Sequence, residues 1–157
     1  EAGDMLVKQM GWEPYASLMI TELYVPRNRF ANFMSKARRS LTTERANVIY
    51  GTVRLIEKED DTFLNWARES FACIIFNLLV EHSSTGIRDA QRHFQALIDC
   101  ALEEGGSFYL TYHRWARKDQ IETAYPQFPA FLANKDRYDP KNSFTSDWHR
   151  HYLDLFS

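Results

Sequence analysis

An α+β fold, an antiparallel sheet with helices packed on one face, is predicted by three features of this sequence. Strand-like segments rich in β-branched and aromatic residues alternate with segments whose apolar residues recur every three or four positions. Two strand-like segments follow one another in mid-chain, joined through a charged turn at Glu59-Asp60-Asp61. One strand-like segment, Phe71–Glu81, is apolar almost throughout, as a central strand is.

The elements follow in order. Leu18–Val25 (LMITELYV) reads as a strand that ends at Pro26, because proline cannot donate to a central ladder. Phe30, Phe33, Met34, Ala37 and Leu41 then form one helical stripe, decorated by Arg27, Arg29, Lys36, Arg38 and Arg39. Asn47–Glu57 alternates and is rich in β-branched residues, so it is a second strand, and Phe71–Glu81 is the third. Ser83-Ser84-Thr85-Gly86 supplies the chemistry of a helix start. The stripe Ile87, Ala90, Phe94, Leu97, Ile98 and Ala101 follows, and Gly105-Gly106 closes that helix. Ser107–Trp115 (SFYLTYHRW) is expected as a fourth strand. Asp119–Tyr125 and Gln127–Arg137 read as short helices punctuated by Pro126 and Pro129. The order β-α-β-β-α-β plus a helical tail is the ferredoxin-like arrangement, in which the first and third strands are central.

Strand side chains alternate between the two sides of a sheet. In the third strand Ala72, Ile74, Phe76, Leu78 and Val80 oppose Phe71, Cys73, Ile75, Asn77, Leu79 and Glu81. In the second, Ile49, Gly51, Val53 and Leu55 oppose Tyr50, Thr52, Arg54 and Ile56. In the fourth, Phe108, Leu110 and Tyr112 oppose Tyr109, Thr111 and His113. The aliphatic side is expected to carry the helices. The other side mixes Tyr50, Thr52, Arg54, Asn77, Glu81, Tyr109, Thr111 and His113 with apolar groups, and Glu22 is expected to join it. A solvated face is one reading. The mixture of Tyr, Arg, Asn and His among Phe71, Ile75 and Leu79 favours a covered ligand site or interface.

Composition narrows the function classes. The chain has 157 residues, with 21 acidic and 19 basic groups, a balance that argues against a general nucleic-acid binder. No apolar run reaches the ~20 residues of a membrane helix, and with no targeting signal visible a cytoplasmic location is expected. Cys73 and Cys100 sit in apolar contexts and read as buried free thiols. No metal site is expected: His149 and His151 lack a third clustered ligand and read as solvated or interface residues, and His93 as exposed. His113 is the one histidine on the suspected functional face, where it could take a hydroxyl proton as a general base or serve as a hydrogen-bonded interface residue. Arg54 could meet an anion, or pair with Glu22 or Glu81. No glycine-rich phosphate loop and no G-x-S-x-G elbow is present.

From Gly105 onward the sequence resembles the carboxyl terminus of FAD-linked oxidases of the vanillyl-alcohol-oxidase type. The resemblance rests on the ending Lys135-Asp136-Arg137-Tyr138-Asp139-Pro140-Lys141-Asn142-Ser143-Phe144, a K-x-x-x-D-P-x-x-x-F pattern. The Tyr125-Pro126 step and the Phe144-x-Ser146-Asp147 ending resemble the decaprenylphosphoryl-ribose oxidase branch and its bacterial relatives. The aldonolactone and alditol oxidases are similar but more distant. Upstream, TELYVPRNRF and VIYGTVRLIE resemble the substrate-domain strands of the same family.

This resemblance implies a C-terminal substrate or cap domain whose sheet covers a flavin ring. FAD would be held mainly by an N-terminal FAD-binding domain of the same polypeptide, the partner expected here. Residues 1–17 would be the connector from that domain, 18–117 the substrate domain, and 118–157 a helical tail returning to it. The opening Glu1-Ala2-Gly3-Asp4, without Met, is expected for a processed or excised chain. The implied reaction is oxidation of a small alcohol or sugar-like substrate, with hydride moving to flavin N5. His113 and Tyr109 would be catalytic, and Glu22, Tyr50, Arg54, Asn77, Glu81, Tyr112 and Arg114 would face substrate and flavin. Tyr109 matches the family's strand tyrosine, but Tyr112 stands where the ribose-oxidase branch carries a lysine, leaving Arg54, Arg114 or His113 to take that role. By itself the chain is expected to be inactive. The alternative is a stand-alone ferredoxin-like module, without a cofactor, that forms a homodimer or binds a ligand through the open face.

Overall fold

The computed structural model describes residues 15–157 together with Met5, Lys8, Gln9 and Gly11; the greater part of the expected connector lies outside the described residues. Four strands form one antiparallel sheet in the order β2-β3-β1-β4. They are β1 (Ala16–Pro26), β2 (Val48–Ile56), β3 (Phe71–Glu81) and β4 (Ser107–Phe108). Helix α1 (Phe30–Thr43) joins β1 to β2, and α2 (Ser84–Glu103) joins β3 to β4. Three more helices follow: α3 (Lys118–Ala124), α4 (Phe128–Tyr138) and α5 (Asp147–Phe156). The α+β arrangement and the central places of the first and third strands agree with the sequence pattern.

Both central strands are apolar because both of their faces are covered or crowded. Leu23 and Val25 of β1 and Ile74, Phe76, Leu78 and Val80 of β3 pack beneath Phe33, Ala37 and Leu41 of α1 and Phe94, Leu97, Ile98 and Ala101 of α2. The tail belongs to this same core through Ile121, Tyr125, Phe128, Leu132 and Tyr152. A second, smaller cluster lies on the opposite face and consists of Tyr24, Phe71, Cys73, Ile75 and Ala67. At the edge, Val53 and Leu55 of β2 point to the helix side yet remain exposed, because α1 does not reach over them.

Helix α2 starts on Ser83, whose hydroxyl accepts from the Gly86 amide at 3.0 Å. It ends on a glycine pair that does two different jobs. Gly105 takes φ +76° and donates to Leu102, while Gly106 donates back to Ala101 at 2.8 Å, the two-bond Schellman ending. Gly106 also lies against β1, where a Cβ would run into the Tyr24 carbonyl and stand 2.6 Å from that of Ala101. Arg68 fastens the connection between β2 and β3 to this corner by donating to the carbonyls of Ala124, Gly105 and Gly106.

The fourth strand departs from expectation. The composition of Ser107–Trp115 predicts an extended segment, but pairing ends at Phe108 and the chain turns at Leu110-Thr111. Side chains of the tail take carbonyls on the outer edge of this segment. Tyr125 Oη donates to Phe108 O, Trp148 Nε1 donates to Leu110 O at 3.0 Å, and Tyr152 Oη donates to the same oxygen at 3.4 Å. These bonds satisfy carbonyls on the side turned away from β1 and hold the segment against the tail.

The Gly106 packing gives a direct expectation. Gly106→Ala should lower unfolding free energy by about 3 kcal/mol in urea titrations, because the added methyl forces α2 and β1 apart. Gly105→Ala, with no atom in the way but a positive φ, should cost only about 1 kcal/mol.

Candidate functional site

The register of the three long strands sorts the second face into rows. Arg54, Cys73 and Tyr24 form one row, Thr52, Ile75 and Glu22 the next, and Tyr50, Asn77 and Ile20 the third. A register shift between Val48 and Tyr50 absorbs Ile49 as an extra residue, and from Tyr50 onward β2 keeps the expected parity. Tyr109 continues the middle row, since its amide donates to Glu22 O at 2.9 Å.

Glu22 is the centre of this face. Its side chain is 8% exposed although it lies on the face opposite the helices. Cys73 Sγ donates to its Oε1 at 3.3 Å. The same carboxylate also raises the Tyr24 and Tyr112 phenols. Burial, reinforced by this carboxylate, pushes the Tyr24 phenol and the Cys73 thiol far up, so both remain protonated donors. Tyr112 is likewise raised, first by desolvation and then by Glu22 and Tyr109. The Tyr109 and Tyr112 rings meet edge to face at 4.8 Å.

The rim is more open. Tyr50 is 53% exposed and Tyr112 41% exposed, while Arg54 is exposed beside the row it shares with Cys73. No ion pair forms at Arg54 among the described residues. Its charge reaches the cluster, where it lowers the Cys73 and Tyr112 values against the other effects. Asn77 is buried in the third row. The face thus brings together Glu22, Tyr50, Arg54, Asn77, Tyr109 and Tyr112. It also contains Tyr24, which the sequence pattern does not single out; fixing the parity of β1 from Glu22 would have found it.

Three expected site residues lie elsewhere. Alternation assigns His113 to the open face, but the chain has already left the sheet, and its ring lies on the helix side. It packs 4.5 Å from Phe94 of α2 and 5.7 Å from Trp115, is 7% exposed, and leaves Nδ1 without a partner. Glu81 sits at the far end of β3 opposite Ala16, about 20 Å along the strand from Ile75. Arg114 acts on Asp147 and Tyr152 of α5. Two other histidines also differ from expectation. His149, expected in solvent or an interface, is buried, and His93 is half-buried. Cys73 is a buried free thiol as expected, and Cys100 is free and half-buried.

The K-x-x-x-D-P-x-x-x-F segment forms a braced loop between α4 and α5. Asp139 accepts from Lys135 Nζ at 2.6 Å and from the Ser143 and Phe144 amides at 2.9 Å each. Lys135 and these amides hold its carboxyl down to about 2. The loop carries Tyr138 and Phe144 outward, 78% and 82% exposed.

The domain is an antiparallel sheet with helices on one side and a half-open, mixed-polarity face on the other. The sequence profile of the D-arabinono-1,4-lactone oxidase family matches residues 13–152. The chain belongs to this family, as a C-terminal domain of the FAD-linked oxidase type. A search of curated proteins gave no match.

His113 carries a pH prediction. Burial holds its folded value down to about 4, against an ordinary 6.5. A depressed histidine keeps its stabilising effect above the unfolded value and loses it as pH falls through the folded one. Stability should therefore drop by up to about 3 kcal/mol between pH 6.5 and about 4, and His113→Phe should flatten that part of the urea-unfolding profile.

Proposed function

We propose that this chain is the substrate-covering domain of an FAD-dependent oxidoreductase acting on a small alcohol or sugar-derived substrate. The observation that carries this reading is the half-open face: hydrogen-bonding groups ring an apolar floor of Ile20, Ile75 and Leu79. Such a face suits one side of a flat aromatic ring and a polyhydroxylated molecule beside it. It fits FAD as a cover rather than as an anchor, since the sequence has no glycine-rich loop to cradle phosphates. The flavin-bearing partner would be another domain of the same polypeptide. The outward Tyr138 and Phe144 on their braced loop support a docking role for the tail. The likeness of the Tyr125-Pro126 step and the Lys135–Phe144 ending to the ribose-oxidase branch supports a sugar-derived substrate.

When bound, the flavin supplies a two-electron acceptor for hydride. This chain's residues would do the rest. Arg54 would bind and orient substrate oxygens with its planar set of donors. Tyr50 and Tyr109 would supply aromatic walls, and the closed face would exclude water. The choice of sugar alcohol or sugar lactone would be set by how hydroxyls meet Arg54 and Asn77.

The test is flavin reduction by a panel of sugar alcohols and sugar lactones in the flavin-loaded full-length polypeptide. Arg54→Ala should slow reduction about tenfold to a hundredfold, the loss of a charged hydrogen bond, and leave the unfolding midpoint unchanged because the residue is exposed. A wild-type protein whose flavin no member of the panel reduces would remove this reading. A homodimer through the same face, seen by ultracentrifugation of the flavin-free chain and lost on Tyr50→Glu, would favour the cofactor-free module instead.

A further inference from the structure

We propose that the outer edge of β2 is a self-association surface, on which a second copy of this chain pairs its own β2 antiparallel about a two-fold axis through Thr52. The proposal stands apart from the flavin reading, because the pairing lies in the plane of the sheet and not on its half-open face.

Four observations lead to it. First, β2 is an outer strand in the order β2-β3-β1-β4 and pairs with β3, so the other backbone edge of its nine residues has no partner among the described residues. Edge strands are ordinarily blunted by proline, by lysine or by short length. Val48–Ile56 contains neither residue, and its one register shift lies at its start. Second, β2 leaves apolar side chains in water: on the helix side Val53 is 52% and Leu55 69% exposed. Third, the same side carries a matching hollow at the other end of the strand. It is a groove of about 500 Å³ between α1 and β2, lined by Met34, Arg38, Leu41, Val48 and Phe76. Gly51 lies against Phe76 and puts no side chain into it. Fourth, the two ends of the strand carry opposite charge. Arg38 and Arg45 stand beside Val48 and form no ion pair among the described residues. Beyond Ile56, Glu57, Glu59, Asp60 and Asp61 outnumber the cations Arg27 and Lys58 that pair with them.

A strand with an apolar projection and acids at one end, and a groove and arginines at the other, is complementary to its own antiparallel copy. Thr52 is its midpoint, so an axis there pairs the strand over its full length. Residues directly opposite one another then share a face. Val53 comes opposite the copy's Gly51, beside its Phe76, and Leu55 reaches the mouth of the copy's groove. On the other face Arg54 comes opposite the copy's Tyr50, where a guanidinium can stack on the ring. The acidic turn of each copy meets the arginines of the other, whereas a parallel pairing would set like charges together. The contact is isologous and closes as a dimer. It would double the four-stranded sheet, keep all helices on one side and add the copy's Tyr50 to the rim at Arg54.

The experiment is sedimentation equilibrium of the 157-residue chain up to about 200 μM, since so small an interface is expected to hold at micromolar concentrations. A monomer–dimer equilibrium is expected, weakened severalfold when salt is raised from about 0.05 M to about 0.5 M. Val53→Lys should weaken it at least about tenfold while the circular dichroism matches wild type, because the residue is exposed. Tyr50→Glu should keep the dimer, because the new carboxylate would face the copy's Arg54. Under mild oxidation Thr52→Cys should link two copies by a disulfide, as opposite Cα atoms of an antiparallel pair lie about 4.5–5.5 Å apart; Leu55→Cys, about 20 Å from its own counterpart, should not. A monomer at every concentration, an affinity that salt or Val53→Lys leaves unchanged, or no link through Thr52→Cys would overturn the edge pairing. A dimer lost on Tyr50→Glu and kept in Val53→Lys would also overturn it, in favour of pairing through the half-open face.

Discussion

Eleven consecutive residue pairs between β1 and β3, from Ala16 with Glu81 to Pro26 with Phe71, decide which side chains in this protein can meet. Side chains alternate along a strand, so a slip of one residue would move every group to the wrong side. The pairing is protected against that slip on both faces. Leu23, Val25, Ile74, Phe76 and Leu78 must all point to the helices, and Phe71, Cys73, Ile75 and Tyr24 must all point away. A shifted register would put Glu22 into the core beneath α2 and expose its apolar neighbours. The position of the site carboxylate is therefore a consequence of core packing on the opposite face.

The second constraint comes from the tail. An edge strand exposes carbonyls that invite more pairing. Here Tyr125, Trp148 and Tyr152 occupy two of those carbonyls with hydroxyl and indole donors, within a cluster where Phe128 meets Trp148, Tyr152 and Phe156 at 5.1 to 5.9 Å. The chain is turned off the sheet after Phe108, and this exit changes the facing of the next few residues. Tyr112 comes up beside Tyr109, while His113 goes down against Phe94. The helical tail thus shapes the half-open face without forming part of the sheet.

This division explains what could be read from the sequence. Phe71–Glu81 is legible to the residue because nine of its eleven positions are apolar and nearly continuous. The faces of Tyr50, Thr52, Arg54 and Asn77 are legible because alternation is a local property, and the irregularity near Ile49 falls before Tyr50. The end of β4 is not legible. Residues 107–115 have the composition of a strand, and the groups that stop it, Trp148 and Tyr152, lie about forty positions downstream. His113 is misplaced for the same reason, since alternation has no meaning once the ladder has ended. Tyr24 escapes notice because an aromatic in a central strand reads as core, and nothing local shows that a carboxylate one row away raises its phenol.

Charge placement links these constraints to function. Arg54 on β2 and Glu22 on β1 are separated by β3, hence by about 10 Å across two strand spacings. With the face open to water, an attraction over that distance is largely screened. Covering the face would remove water and lower the effective dielectric, so the same two charges would then act on each other more strongly. The thiol of Cys73 and the phenol of Tyr24 can stabilise the carboxylate by donation but cannot neutralise it. The sheet register that buries Glu22 and the tail contacts that end β4 thus converge on one half-open face.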